Sequence, residues 1–429
     1  MSGDSANRSR RAFLTSAGAG ALAAAGAAIA GKTALAQVTA PPPGPPILMD
    51  GHVHITTRVY WEKIDPWKPQ ATGWDYARAR AAGVNVVIEN LGTYGYWGYN
   101  QTPKHTLRLV ETFYRVAEAN KDKMELALTS ADARRIVAAG KMAVFMGIES
   151  GWDHDGDIDV LRALYRLGLR SVQFSTQSGF NAFSDSALSM LTSGQPPGHH
   201  KGINERGRAL INEMNRLGIL IDVIHATEAA QAQIIDASEA PVVDSHDGLR
   251  GISGGPGLSD ELLKKLAAKG GMIGIHGWSA LISKRYIAWM AANRERFAQV
   301  SKPFFDFGGY RPSFERAPGD RGEYAERLDA EAGQRFRGLG APFVDDPEAA
   351  KFVPTADDWA EHVAYVIKTV GADHVGIGLD MTGARSGVPK DPSGYPELVA
   401  ALNRITTPEN VRKICGENWL RVLDKAKVG

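Results

Sequence analysis

Short apolar runs recur along this chain, most of them separated by segments whose apolar positions return every three or four residues. The runs are Ile47–Ile55, Val84–Leu91, Met142–Glu149, Arg170–Ser175, Ile219–His225, Pro241–His246, Gly271–His276 and Val375–Asp380. Brief, β-branched and bounded by glycine, proline or polar clusters, they predict buried strands. Helical patterning covers Trp74–Ala82, Thr106–Lys121, Ser130–Ala139, Leu161–Leu167, Glu205–Leu217, Thr227–Ser238, Asp260–Lys269, Trp359–Val370 and Leu398–Val422. Eight buried strands alternating with helices predict an α/β fold of the (β/α)8 barrel kind.

In such a barrel the chemistry sits at the carboxyl ends of the strands. Polar residues fall at those ends here. His52 and His54 close the first run, Glu149 the third, His225 the fifth, His246 the sixth, His276 the seventh and Asp380 the eighth. On a strand, side chains at i and i+2 share a side, so His52 and His54 present two imidazoles to one point. Closing the strands into a ring brings the others to the same place across more than half of the sequence. His199 and His200 lie in a Gly/Pro-rich loop, Thr176 to Gly202, and read as solvent-exposed. His105, His154, His362 and His374 fall outside the strand-end pattern, and Asp153-His154-Asp155 is a rival ligand cluster just past Glu149.

Two stretches depart from the alternation. Residues 277–354 are long, charged and aromatic, and read as an insertion between the seventh and eighth strands, helical over Ile287–Phe297, that could cover the site. Residues 1–36 read as an export leader: Arg10-Arg11 precede a mildly apolar Ala/Gly-rich run from Ala17 to Ala30, and Ala34-Leu35-Ala36 offers a cleavage site. This resembles a bacterial twin-arginine signal, which implies a periplasmic or secreted protein matured near Ala36. The run is too short and too rich in glycine and alanine for a stable membrane anchor. The Pro-rich residues 37–46 are a stiff lead-in to one domain, 47–429.

Composition narrows the chemistry. The 429 residues are 44% hydrophobic and 23% charged, enough for a large core, and the net charge of +1 with mixed signs argues against nucleic acid or an anionic surface as partner. Cys415 is the only cysteine, which rules out an intrachain disulfide and a cysteine-based metal site. Imidazoles and a carboxylate converging without sulfur suit Zn²⁺ or a similar ion. Glu149 can offer one oxygen to each of two ions, His52 and His54 completing one site and His225 and His246 the other. Two such ions could share a hydroxide and polarise the bond it attacks. Asp380 is then placed to carry a proton from that water to a leaving amine. Singly, each residue has a plainer reading: Glu149 or Asp380 as a cap, a strand-end histidine as a hydrogen-bonding residue.

Taken as a set, these residues resemble the renal or membrane dipeptidases, zinc peptidases of the amidohydrolase superfamily. The similarity covers about 47 to 425. It is carried by Asp50-Gly51-His52, Gly147-Ile148-Glu149, Met214 to Asp222 leading to His225, Ser245-His246, Gly376 to Asp380, Tyr395-Pro396-Glu397-Leu398 and Glu417 to Val422. The resemblance implies two zinc ions bridged by Glu149, with His52 and His54 on one and His225 and His246 on the other, proton transfer by Asp380, and a homodimer. Three places depart from the family pattern. His54 stands where the family usually has aspartate. Thr176 or Gln177 stands where a histidine helps hold the scissile carbonyl. Pro256 or Gly257 stands where an arginine holds the dipeptide carboxylate; Arg250 lies nearby, though a shifted guanidinium would hold it at another distance. Thr176, Gln177, Arg250 and His276 are the candidate substrate-binding residues.

Three functions follow: a metal-dependent dipeptidase, a related hydrolase of another small amide, cyclic amide or lactone, and a barrel that keeps metal but only binds. The retained Asp380 argues against the last, since a binder needs no proton carrier.

Overall fold

The computed structural model describes residues 45–71, 73–92, 102–149, 151–175, 181–187, 199–296, 347–381 and 387–428. The stretch read as a leader, Thr176, Gln177 and residues 297–346 of the stretch read as an insertion lie outside them. The strands are β1 (Met49–Val53), β2 (Val86–Gly92), β3 (Met124–Leu126), β4 (Met142–Glu149), β5 (Leu169–Gln173), β6 (Leu220–Asp222), β7 (Val242–Asp247), β8 (Met272–Ile275) and β9 (Val375–Ile377). Every ladder is parallel, in the order β1-β2-β4-β5-β6-β7-β8-β9. This is the expected eight-stranded barrel, nearly closed. The ninth strand, β3, has no counterpart in the sequence reading. β2 pairs with β4 along its length, so β3 and β5 share the other edge, β3 beside Met142–Val144 and β5 from Met146 onward. Three residues between two helices carry too little pattern to be read.

Alternation along the strands divides the core in two. Met49, Val86, Ile88, Phe145, Val243 and Met272 form one buried cluster with Trp419, which fills the barrel interior. Val53, Val87, Val144, Ile148, Ile273 and Ile377 belong to the other, between the sheet and the helices. A Cβ on Gly51 would lie 2.1 Å from the Trp419 ring, so only glycine lets β1 pass that plug. Between β1 and β9 a side chain closes the seam. The buried Asp50 carboxylate accepts the backbone N–H of His52 (3.0 Å) and of Leu379 (3.2 Å), and the Tyr395 hydroxyl. Tyr395 Oη in turn accepts from Trp74 Nε1 at 2.9 Å.

The expected helices are present, with two differences. A helix over Ile55–Glu62 follows β1 directly, where the sequence carries no start signal. His54, its N-cap, makes no side-chain cap; instead Glu89 Oε1, from β2, accepts the N–H of Ile55 (2.8 Å) and Thr56 (2.7 Å). The cap is tertiary, which is why local sequence is silent. The continuous helix expected over Leu398–Val422 is three, Tyr395–Ile405, Pro408–Arg412 and Asn418–Lys425. Thr407 caps the second with Pro408 in its first turn, and Gly416 has non-helical angles before the third. In the insertion, the helix near Ile287 runs Lys284–Ala292. Among the described residues no helix is long and apolar enough to cross a membrane.

One histidine outside the site carries a pH signature. His362 Nδ1 accepts the Leu249 N–H at 3.3 Å and Nε2 donates to the Ile282 carbonyl at 3.1 Å. Burial holds its pKa down to about 4, from 6.5. Between those values the unfolded chain binds a proton the folded chain does not, so this contribution to stability is lost as pH falls from 6.5 to 4. A His362→Asn variant lacks it. The wild-type advantage in urea unfolding is therefore expected to shrink by about 3 kcal/mol between pH 7 and pH 4. A difference that stays constant across that range would show that His362 is not the titrating group.

Candidate metal centre

The barrel's interior rows turn polar at the carboxyl ends. In β2 the row Val86, Ile88 is continued by Asn90; in β4, Ala143 and Phe145 by Gly147 and Glu149; in β6, Leu220 by Asp222. His52 lies within β1 and His246 within β7, whereas β6 and β9 stop three residues short of His225 and Asp380. Both of these residues sit in the left-handed region, at φ 63° and 46°. Non-glycine residues there cost roughly 1–3 kcal/mol, a strain that concentrates at functional sites. The Ala226 N–H donates to the Val223 carbonyl (3.2 Å) and the Ala187 N–H to that of His225 (2.8 Å), so His225 is held on a turn.

Glu149 divides its two oxygens. Oε2 lies 2.7 Å from His54 Nε2 and 3.4 Å from His52 Nε2; Oε1 lies 3.0 Å from His225 Nε2 and 3.6 Å from His246 Nε2. Asp380 approaches His52 and His54 with one oxygen and His246 and His276 with the other. Its Oδ1 is 3.5 Å from His54 and 3.9 Å from His52, and its Oδ2 3.8 Å from His246 and 3.5 Å from His276. His52 and His54 meet at Nε2, 2.8 Å apart. Glu149, His52, His54 and His246 are buried, while the side chains of His225 and Asp380 are 18% and 16% exposed and face the opening.

Electrostatics follow from this crowding. Burial alone would raise the Glu149 carboxyl, but His52 and His54 outweigh it and hold its pKa well below the usual range. Burial pushes His54 down and Glu149 more than reverses that, to about 9; His225 is raised by Glu149 against burial in the same way. His246 goes the other way: burial, then His52, hold it well below its ordinary value, a neutral ring with a free lone pair.

The groups behind the imidazoles fix their faces. His54 Nδ1 donates to the Asn90 carbonyl at 2.7 Å, which leaves the Nε2 lone pair pointing inward. Ser245 Oγ lies 3.2 Å from His52 Nδ1 and 2.8 Å from His246 Nδ1, and the Asn90 carboxamide nitrogen lies 3.0 Å from His52 Nδ1. Gly147 makes room for Asn90: a Cβ there would lie 2.4 Å from its Oδ1. Asp222 Oδ1 accepts the N–H of Ile224 (3.1 Å) and Ser245 (3.0 Å) below the site. Sequence reasoning gave no site role to Asn90, Ser245, Asp222 or Glu89. The available signal was a polar residue where a strand's alternation calls for an apolar one.

The remaining candidates fall as follows. His276 joins the cluster through Asp380. Arg250 forms an ion pair with Glu228 and donates to the Gly257 carbonyl at 3.0 Å, its side chain 46% exposed. His199 is exposed. His200, expected to be exposed, is half-buried because its Nε2 donates to the Asn181 carbonyl (2.9 Å) and its N–H to Asp185 (2.8 Å). Asp153 accepts the N–H of Asp155 (3.2 Å) and Asp157 (2.7 Å), the work of a loop rather than of a ligand cluster.

Among the described residues, the groups able to hold a metal are His52–His54–Glu149, Glu149–His225–His246, His246–His276–Asp380 and His52–Asp222–His246. The donor set fits a cation. His246 Nε2 is buried and, among the described residues, reaches no hydrogen-bond partner, a costly condition in a protein interior that a divalent ion relieves. Four inward imidazoles and carboxylate oxygen without sulfur are the ligand chemistry of zinc and its neighbours.

Comparison with known proteins agrees. Residues 45–428 match the profile of the membrane dipeptidases, peptidase family M19. Dipeptidase tcpJ of Claviceps purpurea is 29% identical over 329 residues, 76% of this chain and 60% of the relative. Dipeptidase verJ of Clonostachys rogersoniana is 27% identical over 327 residues, 75% of this chain and 65% of the relative. The chain thus spans less than two thirds of the length of either. Among solved structures, the probable dipeptidase PvdM of Pseudomonas aeruginosa superposes with a TM-score of 0.69 at 22% identity, over 89% of this chain and 96% of that one. A metallopeptidase from Rhodobacter sphaeroides, liganded with a phosphinate mimic of the dipeptide L-Ala-D-Ala, gives 0.64 at 20%, over 89% and 100%. At these identities the superpositions establish the barrel. The profile, matched from the start of β1 to the last helix, establishes more: the chain belongs to the membrane dipeptidase family.

Proposed function

We propose that this protein is a binuclear zinc hydrolase that cleaves the peptide bond of dipeptides. The observation that supports it most is the division of Glu149, one oxygen to His52 and His54 and the other to His225 and His246, with Asp380 beside His54 on one side and His246 on the other. Two divalent ions bound there would supply an activated water and polarise the amide carbonyl. The chain's residues do the rest. Water adds to the carbonyl carbon and loses a proton, which Asp380 accepts. Asp380 then gives that proton to the amide nitrogen as the carbon–nitrogen bond breaks, releasing an amine and a carboxylic acid that ionises to solvent, so the Asp380 carboxylate ends as it began. The buried floor of Asn90, Ser245 and Asp222 keeps the imidazoles aimed while this happens.

A second reading within the same chemistry is favoured by Arg250. Its guanidinium is engaged by Glu228 and the Gly257 carbonyl rather than turned to the site, and a substrate without a free carboxylate would not need it. The test is hydrolysis by the zinc-loaded protein of L-Ala-L-Ala and L-Ala-D-Ala, each with a free and with an amidated C-terminus. A dipeptidase is expected to prefer the free acids at least tenfold. Equal or faster cleavage of the amides would move the substrate to carboxyl-blocked or cyclic amides. Turnover of none of them, with two zinc ions bound, would overturn the dipeptidase reading and leave a cyclic amide, a lactone or a purely binding role.

A further inference from the structure

By distance alone His276 resembles the metal ligands. It sits one residue past β8, its ring packs edge-on to that of His246 at 5.4 Å, and its Nε2 lies 3.5 Å from Asp380 Oδ2. It even belongs to one of the groups that could hold an ion. The other ring nitrogen separates it from His54. His276 Nδ1 is 2.9 Å from the backbone nitrogen of Trp278 and accepts its N–H. A backbone amide can only donate, so the Nδ1 lone pair is engaged and the ring's proton sits on Nε2. His54 is the opposite case: its Nδ1 faces a carbonyl, which can only accept, so Nδ1 keeps its proton and Nε2 is the nitrogen that can give a lone pair to an ion. These two backbone partners fix the tautomers without appeal to any titration.

We infer that His276 is not a metal ligand but the positioning residue of Asp380, a fixed Nε2–H donor that holds Oδ2 so that Oδ1 is presented to the His52/His54 side. The inference rests on the reading of Asp380 as the proton carrier. Two features make the hold necessary. Asp380 lies beyond the end of β9, and among the described residues its Oδ1 has no hydrogen-bond partner, so no hydrogen bond from them aligns the carboxylate. At 3.5 Å the contact is long, and such catalytic hydrogen bonds tighten when substrate is bound. His276 is itself well held, because its N–H donates to the Asp247 carbonyl at 3.0 Å in addition to the bond it receives from Trp278.

The test uses the zinc-loaded full chain with the dipeptides named above. His276→Leu is expected to keep two zinc ions per chain and a KM within about twofold, while kcat falls roughly 100-fold, the scale of a misplaced catalytic group. His276→Gln, whose amide can still donate, is expected to recover at least tenfold of that loss. In an Asp380→Asn background, His276→Leu should cost nothing further. Nitrogen-15 chemical shifts of the histidine side chains should show the Nε2–H tautomer for His276. Loss of one zinc equivalent in His276→Leu, equal kcat in the Leu and Gln variants, or an Nδ1–H tautomer would each overturn the inference. If the wild type cleaves no dipeptide, the proposed function has failed. The zinc content and the tautomer then still decide whether His276 is a ligand.

Discussion

Glu149→Gln is expected to lose metal and activity together. The substitution preserves shape, so the barrel should fold, but it replaces one oxygen by an amide nitrogen that can only donate. Whichever way the amide turns, one histidine pair faces a donor where it had an acceptor: His52 and His54 if the nitrogen stands at the Oε2 position, His225 and His246 if at Oε1. The bridging negative charge is lost as well. Altering a group behind a ligand typically costs 10–100-fold in metal affinity, so replacing the shared ligand is expected to cost about 100-fold or more. The measurement is metal content after dialysis against a weak chelator, alongside the melting temperature with and without added zinc. The wild type should gain stability with zinc, as any site that binds only the folded state must. The variant should gain little. Two zinc ions retained at wild-type affinity would remove Glu149 from the bridging position.

Asp380→Asn is expected to separate binding from chemistry. Asp380 lies 3.5 to 3.9 Å from His52, His54 and His246, where Glu149 comes as close as 2.7 Å, so the carboxylate contributes less to holding those rings in place. The backbone tolerates the change too, because φ at this position is 46° and asparagine is among the residues that enter the left-handed region most readily. Zinc content and fold should therefore match the wild type. What disappears is the ability to accept a proton. A positioned acid–base group is worth about 10²–10⁴ in rate, and kcat is expected to fall within that range with KM little changed. Wild-type turnover in this variant would exclude Asp380 from the proton path; loss of a zinc ion would make it a ligand instead.

Most of the barrel was legible because strands buried on both faces appear as short apolar runs, and their ends are marked by the residues that stop being apolar. That signal located each of the eight ring strands and, at their ends, His52, His54, Glu149, His225, His246, His276 and Asp380. It failed for β3, which is three residues long, and for the helix Ile55–Glu62, whose cap is supplied by Glu89 from the next strand. It also ran the strands of His225 and Asp380 too far. Both residues lie beyond the ladder on left-handed backbone, where a strand's alternation no longer dictates direction.

The sequence by itself determined the architecture and the sulfur-free donor set, since each depends on residue type at positions set by a local period, and its motifs carried the resemblance to one family. The tertiary structure decided which donors share an oxygen and which face a proton. Glu149 divides its carboxylate only because β1, β6 and β7 meet around it. His54 and His276, alike as letters, differ because one ring nitrogen meets a carbonyl and the other a backbone N–H. Arg250 has the right charge for a substrate carboxylate, but its direction is set by Glu228 and Gly257. Periodicity fixes which side of an element a residue occupies; the partner across the fold fixes its protonation, its orientation and therefore its part in the chemistry.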